Sequence, residues 1–189
     1  MQATVAAALL GAAAPAVAQN VPAAIIAVVD LERVTAQCNA CKTANTALQS
    51  QANALRARQK ALATPLEAEG KTLQTAVNAL GGKAPDAALE ARIKAFQTKQ
   101  QQGAQELTRQ EQQIQRNQAY IQQQIVTKLG PVYQQVMQKR GANVMLEAGT
   151  TLAAGASLDV TADVLTALNI SLTTIGTTAP AAPATPQGR

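Results

Sequence analysis

The feature that most constrains this chain is a leucine and isoleucine repeat interrupted once by glycine and proline. Leu48, Leu55 and Leu62 fall at seven-residue intervals, and Leu66, Leu73 and Leu80 continue at sevens after a step of four. In a heptad a step of four leads from d to a, so one register carries both runs. Beyond Gly81-Gly82-Lys83-Ala84-Pro85-Asp86, Ile93, Leu107, Ile114 and Ile121 keep the sevenfold phase, with Gln100 filling one slot. Paired glycines leave a helix through left-handed dihedrals, and Pro85 excludes the helical region from the residue before it. The pattern predicts two helices folded back on each other over residues 34–140, with the tip near 81–86. Each arm has roughly 45–50 residues and, at 1.5 Å per residue, a length on the order of 70 Å. A hairpin of that length must project from something.

Composition agrees with a thin, solvated seam. Aromatic residues make up 2% of the 189, with no Trp, one Phe and two Tyr, and Ala and Gln dominate. A compact core of this size normally uses more large rings. The net charge is +5 and the pI about 9.5, but the basic residues are scattered along the arms. Nucleic-acid binding needs clustered cations or aromatics on which bases stack, and the sequence offers neither, so no nucleic-acid partner is expected.

The ends read differently. Residues 1–18 form an expected secretory signal, with an apolar run from Thr4 to Leu10 and a small-residue cleavage site at Ala16-Val17-Ala18, although no Lys or Arg precedes the run. Residues 19–33 hold a first strand, Ile25-Ile26-Ala27-Val28-Val29, and Asp30 is placed to cap the helix that follows. Thr64-Pro65 predicts a bend in the outbound helix, and Gly130-Pro131 a kink or short restart in the return helix. Gly141 ends the return helix after Lys139-Arg140. Residues 141–170 are expected to complete the body: a strand over 142–147, a turn at Gly149-Thr150, a third strand at Thr151-Leu152-Ala153 making a hairpin, and a short helix over 162–169 capped by Thr161. The Ala/Pro/Thr tail, 171–189, is expected to stay disordered for want of apolar surface.

Cys38 and Cys41 form the chain's one pair of thiols. No βαβ pattern of a thioredoxin-like fold surrounds them, and a c-type haem needs His where Lys42 stands. Zinc needs two further Cys or His ligands that the chain lacks. Two readings remain open: a local disulfide formed after export, and redox work by the pair.

The order of these parts resembles the Skp/OmpH family of periplasmic chaperones over roughly residues 24–169. The resemblance rests on Ala27-Val28-Val29-Asp30, on Arg140-Gly141-Ala142-Asn143-Val144-Met145-Leu146-Glu147, and on Leu158-Asp159-Val160-Thr161-Ala162-Asp163-Val164-Leu165, set on either side of a long hairpin. The Cys pair and a return arm richer in Gln and poorer in charge depart from the family pattern. The resemblance implies an α+β fold in which a long antiparallel helical hairpin projects from a small β body formed by trimerisation. It also implies a periplasmic homotrimer whose arms enclose a cavity for unfolded outer-membrane proteins. Physics supports association independently, since three short strands and one short helix cannot make a stable sheet domain alone.

On this reading the chain is an ATP-independent holdase, not an enzyme, with no cofactor, metal or catalytic residue. No phosphate-binding loop, His or nucleophile motif is present. Client contact is expected to be diffuse, drawing on Arg56, Arg58, Lys60 and Lys71 of the outbound arm and Arg92, Lys94, Lys99, Arg109 and Arg116 of the return arm. The same cations could meet anionic membrane lipids. The alternative is a structural coiled-coil spacer or tether of the cell envelope without clients.

Overall fold

The computed structural model describes residues 22–181, so the expected signal over 1–18 and the end of the tail, 182–189, lie outside it. Its elements are β1 (Ile26–Val29), α1 (Leu31–Gln37), α2 (Asn39–Ala79), α3 (Ala87–Arg140), β2 (Val144–Glu147) and α4 (Thr161–Ser171). The fold is mostly helical, with α2 and α3 packed together along the arm and a small two-stranded sheet at the base.

The arm follows from its caps and seam. Leu80 ends α2, Gly81 and Gly82 turn the chain at φ +57° and +89°, and Asp86 restarts it by accepting the Leu89 amide at 2.8 Å. Leu73 and Leu89 are buried just below this turn and plug the tip. Lower down, Leu48, Leu55, Leu62, Leu66, Ile93, Leu107 and Ile114 are only half-buried, as a two-helix seam requires. Gly70 lies against the Phe96 ring and Gly103 faces Leu62, so small residues opposite large ones bring the helices close. Both helices run through their prolines, Pro65 and Pro131, which sit on exposed faces where water can take the carbonyl that each frees.

The two arms are unequal. α2 has 41 residues and α3 has 54, about 60 Å and 80 Å long. The difference arises at Cys38, which breaks the expected continuous outbound helix with an extended backbone, ψ 128°, between α1 and α2. Asn169 of α4 caps the new helix start by accepting the Asn39 amide at 2.9 Å. The extra turns of α3 carry Ile121, Ile125, Leu129, Val132 and Val136 into the main core, with Val34, Cys38, Cys41, Ala44, Val164 and Leu168.

β1 and β2 pair in parallel, Ile26 opposite Val144 and Val29 opposite Glu147. The expected hairpin between β2 and a third strand at 151–153 is therefore not formed. After Glu147 the chain enters a 3₁₀ turn, Ala148–Thr150, in which the Thr150 and Thr151 hydroxyls donate to the Glu147 carbonyl, and Leu152 is fully exposed. β1 finds its second neighbour further on: Val160 donates to the Val28 carbonyl at 2.9 Å, and Asp159 bridges Val28. Ala27 and Val29 face the helical core, while Val28 lies buried on the opposite side beneath the segment 148–159.

Side-chain hydrogen bonds fix this base. Asn143 donates to the Ala23 carbonyl and accepts the Ile25 amide at 2.8 and 2.7 Å, which sets the β1/β2 register. Asp30 caps α1 by accepting the Arg33 amide, as its position predicts. Thr161 is not the cap of α4. Its hydroxyl accepts the Asp30 amide at 3.0 Å, and its own amide is taken by Asp159 Oδ1 at 2.8 Å, so it ties α4 to the start of α1.

The tail departs most from expectation. Residues 172–181 lie along the arm: Leu172 is buried and Ile175 packs on the core, which corrects the disordered reading of 171–189 for the part described. Backbone amides and carbonyls, not only apolar side chains, supply the anchorage that composition does not reveal.

Candidate functional site

The nine basic residues nominated for client contact do not converge. Arg58 grips Glu106 across the arm with two hydrogen bonds of 2.7 and 2.9 Å, and Lys99 reaches Glu69 at 2.8 Å. Each of these pairs ties α2 to α3. Arg56 and Arg116 donate to the side chains of Asn53 and Gln113 on their own helices. Among the described residues, Lys60, Lys71, Arg92, Lys94 and Arg109 have no ion-pair partner, and they are spread along both helices. The Glu106 carboxyl is held below its usual range, first by its hydrogen bonds to Arg58. A shallow cleft of about 300 Å³ sits between these pairs, lined by Leu62, Pro65, Leu66 and Gly103. The arm thus offers dispersed charge over small apolar surface.

The cysteines occupy the opposite end. Cys38 and Cys41 have Cα atoms 5.1 Å apart with their sulfurs within bonding distance, and both are buried at the α1/α2 junction. Cys38 Sγ also accepts the Cys41 amide, so the pair closes the first turn of α2. The pair belongs to the main core together with Val164 and Leu168 of α4. Among the described residues no cluster of His, Cys, Asp or Glu is arranged to hold a metal ion.

The body is tied together electrostatically. Asp163 in the first turn of α4 takes Lys139 at 3.1 Å and Arg140 Nε at 2.8 Å, and these bonds, Arg140 first, hold its carboxyl below the usual range. Asp159 is lowered too, chiefly by its hydrogen bonds to the side chain and amide of Thr161. Burial pushes the Tyr133 phenol up, with Glu147 adding to the shift.

A fourth feature was not nominated from sequence. Gln51 on α2 and Gln113, Asn117 and Gln124 on α3 line a groove that holds the tail. Gln124 donates to the Gly176 carbonyl and accepts its amide, both at 2.9 Å. Asn117 accepts the Ala179 amide at 2.8 Å, and Gln51 donates to the Thr177 carbonyl at 3.1 Å. Asn117 is itself buried, donating to Gln51 and accepting from Gln113 at 2.8 Å each. The glutamine-rich return arm was the available signal, but glutamines on a solvated helix look alike until the groove partner is known.

A long hairpin on a base of two parallel strands, closed by an Asp-Val-Thr segment, can be compared with known proteins. The family described as outer membrane protein (OmpH-like) matches residues 25–168, from β1 to α4. The chain belongs to the OmpH-like family. No curated protein matches it. Among solved structures it is similar to a Caulobacter crescentus CB15 protein, described as an OmpH-like outer membrane chaperone, whose crystal structure was determined at 2.83 Å resolution. The TM-score is 0.69 at 18% identity, covering 83% of this chain and 90% of that one. At such identity the likeness is one of fold. In this OmpH-like chain the match ends at Leu168, so the groove-bound tail lies beyond the family's span.

Proposed function

We propose that this OmpH-like chain is an ATP-independent holdase that shields unfolded outer-membrane proteins in the periplasm. The observation that carries the proposal is the arm itself. Its helices of 41 and 54 residues present a half-buried apolar seam and unpaired cations, which suits many weak contacts with an unfolded chain rather than one specific site.

Assembly belongs to the same proposal. In one chain the sheet has two strands, and Ile25, Ile26, Leu146 and Leu152 stand exposed about it. A homotrimer would cover this apolar surface and set three arms around a cavity. The export signal at 1–18, contact of the arm cations with anionic lipids and pairing of Cys38 with Cys41 complete the reading. Among the described residues no helix is long and apolar enough to cross a membrane.

The test is to dilute a urea-unfolded barrel protein into buffer with and without the chain and follow light scattering, with native mass measured on the same samples. A holdase suppresses scattering at near-stoichiometric trimer. Unchanged scattering with an intact assembly would favour a spacer or tether instead.

A further inference from the structure

The contacts that hold the tail have an unusual common property. Every hydrogen bond from Gln51, Gln113, Asn117 and Gln124 to residues 176–179 goes to a backbone amide or carbonyl. The tail side chains contribute none of these bonds, so the groove does not depend on which residues the bound segment carries. Burial alternates with period two: Ile175, Thr177 and Ala179 are half-buried, and Thr174, Gly176, Thr178 and Pro180 are exposed. That is the alternation of an extended strand lying on a surface. One position is selective. A Cβ placed on Gly176 would come within 3.1 Å of the Tyr120 ring, so glycine fits there best. Below Thr178 the groove continues into a cavity of about 330 Å³ between Leu55 and Ile114.

We propose that this groove is a binding site for the backbone of an extended polypeptide segment, and that the chain's own residues 176–179 occupy it as a displaceable stand-in. The segment that displaces them is a stretch of unfolded client; this identity rests on the holdase reading above. Leu172 and Ile175 remain packed on the core and keep the tail tethered, whereas Gly176, Thr177 and Ala179 are held by polar contacts that another chain's amides and carbonyls can replace. The occupant therefore lowers the apparent affinity for clients by the fraction of time the groove is open.

The test compares the full-length chain with a chain ending at Ile175 and with a Gly176→Val/Ala179→Pro variant. The double variant removes one amide donor and crowds Tyr120 without altering the groove wall. Gln124→Ala is introduced into the full-length and shortened chains. A fluorescently labelled, urea-unfolded barrel protein serves as probe, with binding read by anisotropy and protection by light scattering. Both tail variants are expected to bind about five- to tenfold more tightly than the full-length chain, matching a groove open about a tenth to a fifth of the time. Gln124→Ala in the shortened chain should lose most of that gain. Hydrogen exchange gives an independent reading: in the full-length chain the Gly176 and Ala179 amides should be protected without client and exchange rapidly once client is added. Equal binding by all forms, or Gly176 and Ala179 amides that stay protected with client bound, overturns the inference and leaves the holdase reading intact. Failure of every form to bind or protect overturns the holdase reading, and the displacing client with it.

Discussion

Asn117 is the residue whose removal should be most informative, because three contacts converge on it inside the arm. It is 3% exposed, donates to Gln51 and accepts from both Gln113 and the Ala179 amide, each at 2.8 Å. Asn117→Ala deletes all three bonds. A neutral hydrogen bond contributes about 0.5–1.5 kcal/mol net, and an abandoned buried partner costs about 1–3 kcal/mol. Here the partners are half-buried, and Gln51 keeps its bond to Thr177, so water and the remaining bonds recover part of the loss. A net destabilisation of about 2–3 kcal/mol follows. For a domain of this size each kcal/mol moves the melting temperature by about 2–4 °C, so a fall of roughly 5–10 °C is expected. Asn117→Leu separates packing from hydrogen bonding: it fills the seam beside Ile114 and Ile121 and should recover much of the stability, yet it still leaves the Ala179 amide unpaired. Thermal melts followed by circular dichroism, at one fixed protein concentration because assembly couples to stability, supply the first number. Hydrogen exchange at Ala179 supplies the second. An Asn117→Ala protein that melts within 1–2 °C of the parent, with Ala179 still protected, would refute the argument that this polar node binds tail to arm.

Replacing Cys38 and Cys41 together with Ser should lower stability by about 2 kcal/mol, the loop-closure estimate for so short a loop, while protection of an unfolded client at temperatures below the melt stays near the parent value; loss of protection with the assembly intact would assign the pair redox or client work. Asp159 and Asp163 titrate below their unfolded values in the folded chain, so the stability that they contribute is present above about pH 4 and is lost as pH falls through the depressed folded values. Melting temperature should therefore drop on acidification below about pH 4, and Asp163→Asn should flatten that drop; an unchanged acid slope in the variant would contradict it. Raising salt should slow client capture more than it speeds release, since exposed charges more than about 10 Å apart are screened near 0.1 M salt while apolar contact is not. Stopped-flow capture at two salt concentrations measures this, and a salt-independent rate would remove the role assigned to Lys60, Lys71, Arg92, Lys94 and Arg109.

The arm was legible because its signals are local and redundant. A sevenfold leucine spacing, the paired glycines, which do take left-handed conformations, and Pro85 each point to the same hairpin. The base was less legible because its pairing is long-range. Val144 and Ile26 meet only after the whole arm has been traversed, and nothing near Thr151–Ala153 signals that β1 will take Asp159 and Val160 as its neighbour instead. Thr161 looks like a cap from its position, but the Asp30 amide competes for its hydroxyl and wins. The tail was illegible for a different reason. Its composition is that of a disordered segment, and only four Gln and Asn side chains, far from it in sequence, give its backbone amides and carbonyls partners.

The parallel pairing of β1 and β2 explains why a slender arm can be held so firmly at one end. Parallel strands need a long crossover, and here the crossover is the arm itself, so both of its roots are hydrogen-bonded into one sheet. Asp30 starts α1 directly from β1, and Gly141, at φ +67°, turns α3 into β2 within three residues. α4 then closes over the roots, taking Lys139 and Arg140 of α3 through Asp163 and the start of α2 through Asn169. Along the shaft, by contrast, the seam is half-buried, and the polar ties across it among the described residues are two exposed ion pairs and the hydrogen bond from Gln59 to Glu111, all weakened by water. The stiffness gradient is thus built into the order of the elements. Under the holdase proposal, a fixed root and a weakly tied shaft would let the arm adjust to an unfolded client without disturbing the body, and the tail lies across the zone where the one gives way to the other.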